Sequence, residues 1–577
     1  MAEYLSPGVY VEEFDSGGKP MEGVGTSTAG FVGLAERGPC EGVPQLVTNF
    51  SDFRRKYGGY LSSSEFGDYR FLAYAVEHFF LNGGSRCFIS RIAPADAKCA
   101  EAAVEYEGSP ILKFSAKNPG LWGNNITIIC TPASKAKTQV LEIVKNAGEK
   151  KYRVKSSVGF NAGDIVVYAD KGTEVFNKVV KSRDDIIEFK EDFDDSIVDR
   201  ALLPVRVVST CEINIEVKYD DIVELYENVS FNLESSNYAD KKLAKSSLIN
   251  IAYVGGDQGI IAPFALLTAP ADAVKLVTFA GGSNGTAASL SAADFSGTDK
   301  GAGKRTGIQS FLDNDVVSIM AVPGVTDPNV QLMLTAHCEN LASRFAVLDM
   351  PRDARKIDDI TAHRDIFDTN YGALYHPWLE VFDALDKKNI AIPPSGSVMG
   401  IYARSDNTRG VHKAPANEVV RGCVGLDVQF NKGEQDILNP KGVNLIRSFP
   451  GQGIRVWGAR TATSDGSWKY INVRRLFIFI EESIKANTNW AVFEPNDEML
   501  WVRVKRTIDV FLTGLWRAGS LAGASASEAF FVNVGRTTMS QDDIDNGRLI
   551  CIIGVAPVKP AEFIIFRITQ KTNEAAE

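Results

Sequence analysis

The chain has 577 residues, 45% hydrophobic and 23% charged, an ordinary globular composition that excludes wholesale disorder. At ~150 residues per domain it has room for about three to four domains. Lys and Arg number 62 against 72 Asp and Glu, and the resulting charge of −10 argues against direct nucleic-acid binding.

In chain order, Ser6-Pro7-Gly8 is a turn signal and Val9-Tyr10-Val11-Glu12-Glu13-Phe14 a β-prone run. Asp15–Pro20 is glycine-rich and loose, so residues 1–20 read as a short strand on a tether. Residues 21–95 alternate strand and helix. Thr28–Leu34 and Cys87–Ile92 are buried strands, and Arg70–Leu81 is a helix with Phe71, Ala75, His78 and Phe79 on one face. Residues 96–245 are β-branched and charged, with glycine turns, which predicts an all-β insertion. Residues 246–395 return to α/β. Val316–Val322 is a continuous apolar run, Asp327-Pro328-Asn329 opens a helix that reaches Leu341, and Phe345–Asp349 is a buried strand.

From 396 to 558 the chain is rich in Arg, Gly and Trp and predicts an α+β domain. One helix carries Val473, Phe477, Ile480 and Ile484 as an apolar stripe. A second runs from about Asn496-Asp497 to Gly519, with Leu500, Val504, Ile508, Phe511 and Leu515 on one face. Arg503, Arg506, Thr513 and Arg517 lie opposite, either as a solvated face or as an electrostatic docking surface for an acidic partner. Residues 559–577 hold a last β run, Phe563-Ile564-Ile565-Phe566-Arg567-Ile568, and a charged tail. The longest apolar runs, such as Leu476–Ile480, fall far short of the roughly 20 residues of a membrane helix, so no membrane insertion is expected. Met1-Ala2-Glu3-Tyr4 lacks the basic and apolar regions of a signal peptide.

Candidate chemistry is weak. Gly281-Gly282-Ser283-Asn284-Gly285 fits the nucleophile-elbow spacing, with His337 and His363 downstream, but it also reads as a flexible loop. Gly301-Ala302-Gly303-Lys304-Arg305-Thr306 puts arginine where a phosphate loop needs its hydroxyl. His337-Cys338 has no second ligand one turn away. The eight cysteines are scattered with no CxxC pair, as expected of reduced thiols in a protein made in the cytosol. Neither enzyme activity nor a cofactor or metal is expected.

Several motifs together carry a family resemblance. Tyr4–Glu13, Ala391-Ile392-Pro393-Pro394-Ser395-Gly396-Ser397-Val398-Met399-Gly400 and Arg409-Gly410-Val411-His412-Lys413-Ala414-Pro415 are three of them. Arg447-Ser448-Phe449-Pro450-Gly451-Gln452-Gly453, Tyr470-Ile471-Asn472-Val473-Arg474-Arg475 and Phe493-Glu494-Pro495-Asn496 follow in order. The chain resembles contractile phage tail sheath proteins, a family that includes tailocins and extracellular contractile injection systems. His412 departs from it where tryptophan is usual. The resemblance implies a subtilisin-like α/β middle domain without a protease triad, a tube-proximal C-terminal domain, and a structural subunit assembled in the bacterial cytoplasm. It also implies hexameric rings stacked helically around an inner tube, with baseplate and tail terminator proteins as further partners.

Lone β runs at the two chain ends cannot form stable sheets by themselves. Strand exchange between subunits through Val9, Tyr10, Val11, Glu12 and Phe14, and through Phe563, Ile564, Ile565, Phe566 and Ile568, would pair them. The arginine face at Arg503, Arg506 and Arg517 would dock the tube.

Overall fold

A computed structural model describes residues 21–565 and 567, apart from 107, 147–148, 171–172, 193–206 and 255–274. The expected exchange residues Val9, Tyr10, Val11, Glu12, Phe14, Phe566 and Ile568 lie outside the described residues.

A nine-stranded sheet forms the centre, in the order Gln45–Val47, Cys87–Ile92, Ala29–Leu34, Ile319–Ala321, Phe345–Asp349, Gly372–His376, Val443–Phe449, Gly453–Val456, Glu418–Val419. The strands from Cys87–Ile92 to Val443–Phe449 are parallel, and the edges are antiparallel. The innermost strands are largely apolar, as expected of a parallel sheet covered on both faces. Ala29–Leu34, Ile319–Ala321 and Phe345–Asp349 are buried throughout. This sheet draws strands from 21–95, 246–395 and 396–558 alike. Pairings this distant in sequence leave no mark in local pattern, so composition alone divides the chain inside the sheet.

Helix α1 (Leu72–Asn82) ends at Gly83, whose φ of 119° gives the left-handed cap that glycine adopts without strain. Helix α2 (Pro328–Leu341) starts where Asp327 accepts the Asn329 N–H, with proline in its first turn. Helix α3 (Ser395–Arg409) lies backbone to backbone on α1. A Cβ on Gly396 would stand 2.3 Å from the Ala75 carbonyl oxygen, and one on Gly400 would stand 2.4 Å from that of Phe79. Only glycine permits that approach. The Val316–Val322 run yields a strand of just three residues, and Val316 is half exposed in a turn ahead of it.

Among its described residues up to the short Ala239–Leu243 helix, the insertion is β apart from a 3-10 turn at Leu121–Asn125. It comprises a three-stranded sheet, a four-stranded sheet and a closed six-stranded barrel whose strands run from Lys137–Asn146 to Val207–Thr210. It extends beyond residue 245: Ile249–Tyr253 pairs with Ser109–Ala116, and Lys275–Thr278 pairs with Thr127–Ala133. Lys135 bridges to Asp164 (2.8 Å) and Glu212 (3.5 Å) where the barrel meets the four-stranded sheet.

After the central sheet come helix α4 (Ile471–Asn487) and helix α5 (Glu498–Arg517). They pack with a two-stranded sheet, Phe530–Val534 and Cys551–Val555, around Leu476, Ile480, Leu500, Val504, Ile508 and Phe511.

Candidate assembly surfaces

The first described residues and the segment at Val558 both contact α4. At its carboxyl end, Asn487 accepts the Glu22 N–H (3.4 Å) and donates to the Glu22 carbonyl (2.8 Å), while Ser483 Oγ accepts the Val24 N–H (3.1 Å). About two turns before Ser483 is a buried ion pair. Arg475 donates to both carboxylate oxygens of Asp406, at 3.0 and 2.5 Å, and to the Thr26 carbonyl at 2.9 Å. Thr26 Oγ1 donates to Asp406 Oδ2 (2.6 Å), and the guanidinium lies 4.6 Å from the centroid of the Tyr402 ring. The pair's side chains are 3% and 4% exposed.

At the amino end of α4, Asn472 donates to the Val558 carbonyl at 3.3 Å. Glu562 is held by four donors: Arg460 through two nitrogens (2.9 and 2.6 Å), Asn439 (2.7 Å) and Tyr470 (3.1 Å). These donors and the arginine charge keep its carboxyl below the usual glutamate range despite partial burial. Past this clamp Phe563, Ile564 and Ile565 are 73%, 74% and 79% exposed, with no strand partner among the described residues. A depressed carboxylate stabilises the fold above its unfolded pKa, near 4.5, and loses that contribution as pH falls through the lower folded value. Glu562→Gln at pH 7 is expected to cost about 1.5–3 kcal/mol, the worth of a hydrogen bond to a charged group. Amide exchange across residues 556–562 should accelerate in the variant, and the wild-type chain should approach it only below pH 4.5.

The two-stranded sheet has open edges. Lys505 Nζ already sits on the Val532 carbonyl (2.8 Å), but the Cys551–Val555 strand meets no second strand among the described residues. Phe531 and Ile552 are half exposed on its outer face.

Arg503, Arg506 and Arg517 all lie on the exposed side of α5. Arg503 stacks on Trp490, 4.6 Å from the ring centroid. None of the three makes an ion pair with a described residue.

The catalytic candidates do not assemble. Ser283 Oγ accepts the Gly285 N–H (3.1 Å), and its loop follows a strand of the insertion rather than opening a helix. His337 is spent on Arg344 (3.1 Å) and His363 on Gln331 (2.9 Å). Burial and Arg344 push the His337 pKa down to about 4. In the 301–306 loop, Arg305 bonds Asp299 and Asp313, and the Gly303 N–H points at Asp313. Among the described residues no group of side chains could hold a metal ion, and no helix is long and apolar enough to cross a membrane. All eight cysteines are free thiols. His412, the departure from the family pattern, meets Ser520 Oγ through Nδ1 at 2.9 Å.

Sequence reasoning put Arg503, Arg506 and Arg517 on the exposed side of α5 but gave no sign of the contacts that residues 22–26 and 558–562 make. Arg475, Asp406 and Glu562 look in sequence like ordinary surface charges. Their one local signal is an Arg474-Arg475 pair inside the largely apolar first half of the helix.

Residues 301–462 match the phage tail sheath protein central domain, and residues 463–571 match the phage tail sheath C-terminal domain. A putative prophage major tail sheath protein of Pseudomonas aeruginosa is 25% identical over 46% of this chain and 69% of its own. The tail sheath protein of Vibrio phage KVP40 is 28% identical over 36% of this chain, a match spanning 31% of that protein. In fold, the chain is similar over its full length to the sheath of an extracellular contractile injection system, the PVC sheath complex in its contracted state. That likeness has a TM-score of 0.52 at 20% identity and covers all of both chains. Residues 301–571 therefore carry the two consecutive domains of the phage tail sheath family.

Proposed function

We propose that the chain polymerises as helically stacked hexameric rings around an inner tube, and that the sheath shortens and widens to drive the tube through a target cell envelope. The observation that carries this reading is the pair of arm roots on α4 beside an incomplete sheet. Arms from neighbouring subunits would add to the Phe530–Val534 and Cys551–Val555 hairpin, donating Val9, Tyr10, Val11, Glu12 and Phe14 from one end and Phe563, Ile564, Ile565, Phe566 and Ile568 from the other. Main-chain hydrogen bonds keep neighbours tethered while the globular bodies turn as rigid units. Energy for contraction comes from new contacts between those bodies, with the extended state metastable.

The arginine side of α5 faces the tube, and the ring stack ends on baseplate and tail terminator proteins. The parallel core of the central sheet supports a subtilisin-like domain. Eight free thiols fit assembly in a reducing bacterial cytoplasm.

Electron microscopy of native particles tests the function. Sheaths of two lengths and two widths around a common tube are the expected result. Filaments of one fixed width would instead make this a static coat.

A further inference from the structure

Helix α5 carries two stripes. The inner one is core. The outer one reads Met499, Val502, Arg506, Val510, Thr513, Arg517, at spacings of three, four, four, three and four. A solvated helix face is normally filled with charged and polar side chains. Here Met499 is 74% exposed, Val502 65% and Val510 58%. Beside them Lys505 pairs with Asp509 (2.9 Å), whereas Arg506 and Arg517 have no ion pair among the described residues. The ridge therefore alternates apolar side chains with unspent cations.

A second observation lies at the head of the helix. Phe493 is fully exposed, at 102%, on a backbone with φ of 68°, a region that non-glycine residues rarely occupy. Val492 beside it is 62% exposed. Strain of this kind persists where a fixed presentation is required. Arg503 braces the same loop through Trp490.

We propose that this ridge, with Phe493 at its head, seats in an apolar-floored furrow flanked by carboxylates on the inner tube protein. The proposal rests on the tube-docking reading above and adds to it that the valines, not the arginines alone, hold the tube. Unpaired arginines on a chain of charge −10 select an acidic partner, and the apolar positions between them select a furrow over a flat acidic surface. One helix stripe about 30 Å long buries less than the ~1,000 Å² of a stable independent interface. A single subunit therefore grips weakly, and many along one tube grip firmly.

The test assembles particles from the full chain and its tube protein and counts tube-filled sheaths by electron microscopy. Val502→Ser/Val510→Ser keeps every charge and alters only exposed positions, so the fold is retained. Tube-filled sheaths should fall at least about tenfold, equivalent to ~1.4 kcal/mol, while empty contracted sheaths still form. Arg506→Glu/Arg517→Glu should lose the tube as well. If arginine reversal empties the sheath and the serine variant stays filled, the ridge proposal fails and tube docking stands. Should neither variant lose the tube, the docking reading itself fails. A serine variant unable to form any sheath, with or without tube, would make the ridge a contact between copies of this chain and overturn the proposal.

Discussion

A chain lacking residues 1–18 is expected to fold into a soluble body that does not polymerise. The truncation stops short of Glu22, Val24 and Thr26, so the root contacts with Asn487, Ser483 and Asp406 stay in place. What is lost is the strand that the proposed exchange would donate. Its ~4–6 main-chain hydrogen bonds are worth about 0.5–1.5 kcal/mol each. Burial of Val9 and Val11 adds roughly 1.5–3 kcal/mol per side chain. Against ~1.4 kcal/mol per tenfold change in an equilibrium, that removes ring and stack formation at any practical concentration. Sedimentation velocity should show a monomer whose thermal unfolding matches the full chain's. Polymers of normal length from the truncated chain would refute strand exchange at the amino end.

The second large effect is expected at Asp406→Asn. This leaves the Arg475 guanidinium buried without a counter-charge, a change that typically costs 3–5 kcal/mol. Thr26 keeps an acceptor, but a neutral one, so the amino-terminal root loosens together with the core. Thermal unfolding should begin earlier, and amide exchange at 22–26 should rise with it. The paired replacement Asp406→Leu/Arg475→Met is expected to recover much of the loss, since it removes both charges and not just one. If the double variant is as unstable as the single one, the geometry of the pair matters more than the stranded charge.

How much was legible in the sequence divides along one physical line. Features set by local pattern were readable. Asp327 ahead of Pro328 and the apolar period to Leu341 define α2, and Asp497 with the Leu500, Val504, Ile508 and Phe511 stripe defines α5. Features set by distant partners were not. Thr26 meets Arg475 across 449 positions, and Arg460 meets Glu562 across 102. Before those contacts are known, Arg475 is one more charge on a helix, and Glu562 one more acid near a tail. Gly396 and Gly400 stand in the sequence only as part of a motif, and the structure shows them to be where two helices touch. The close of the insertion was misread because Lys275–Thr278 pairs back with a strand some 150 residues earlier. The α5 face was legible only in part. Its arginines stood out by charge, while Val502 and Val510 passed as ordinary helix residues until their exposure was known.

Helix α4 is 17 residues long, about 25 Å, and an arm root sits at either end of it. Under strand exchange as proposed, a pull on one arm would reach the other largely through this rod, with Asp406 and Arg460 coupling it to the body of the subunit. The barrel takes no part in those contacts, so the insertion could grow, shrink or be exchanged for another module without altering the stroke.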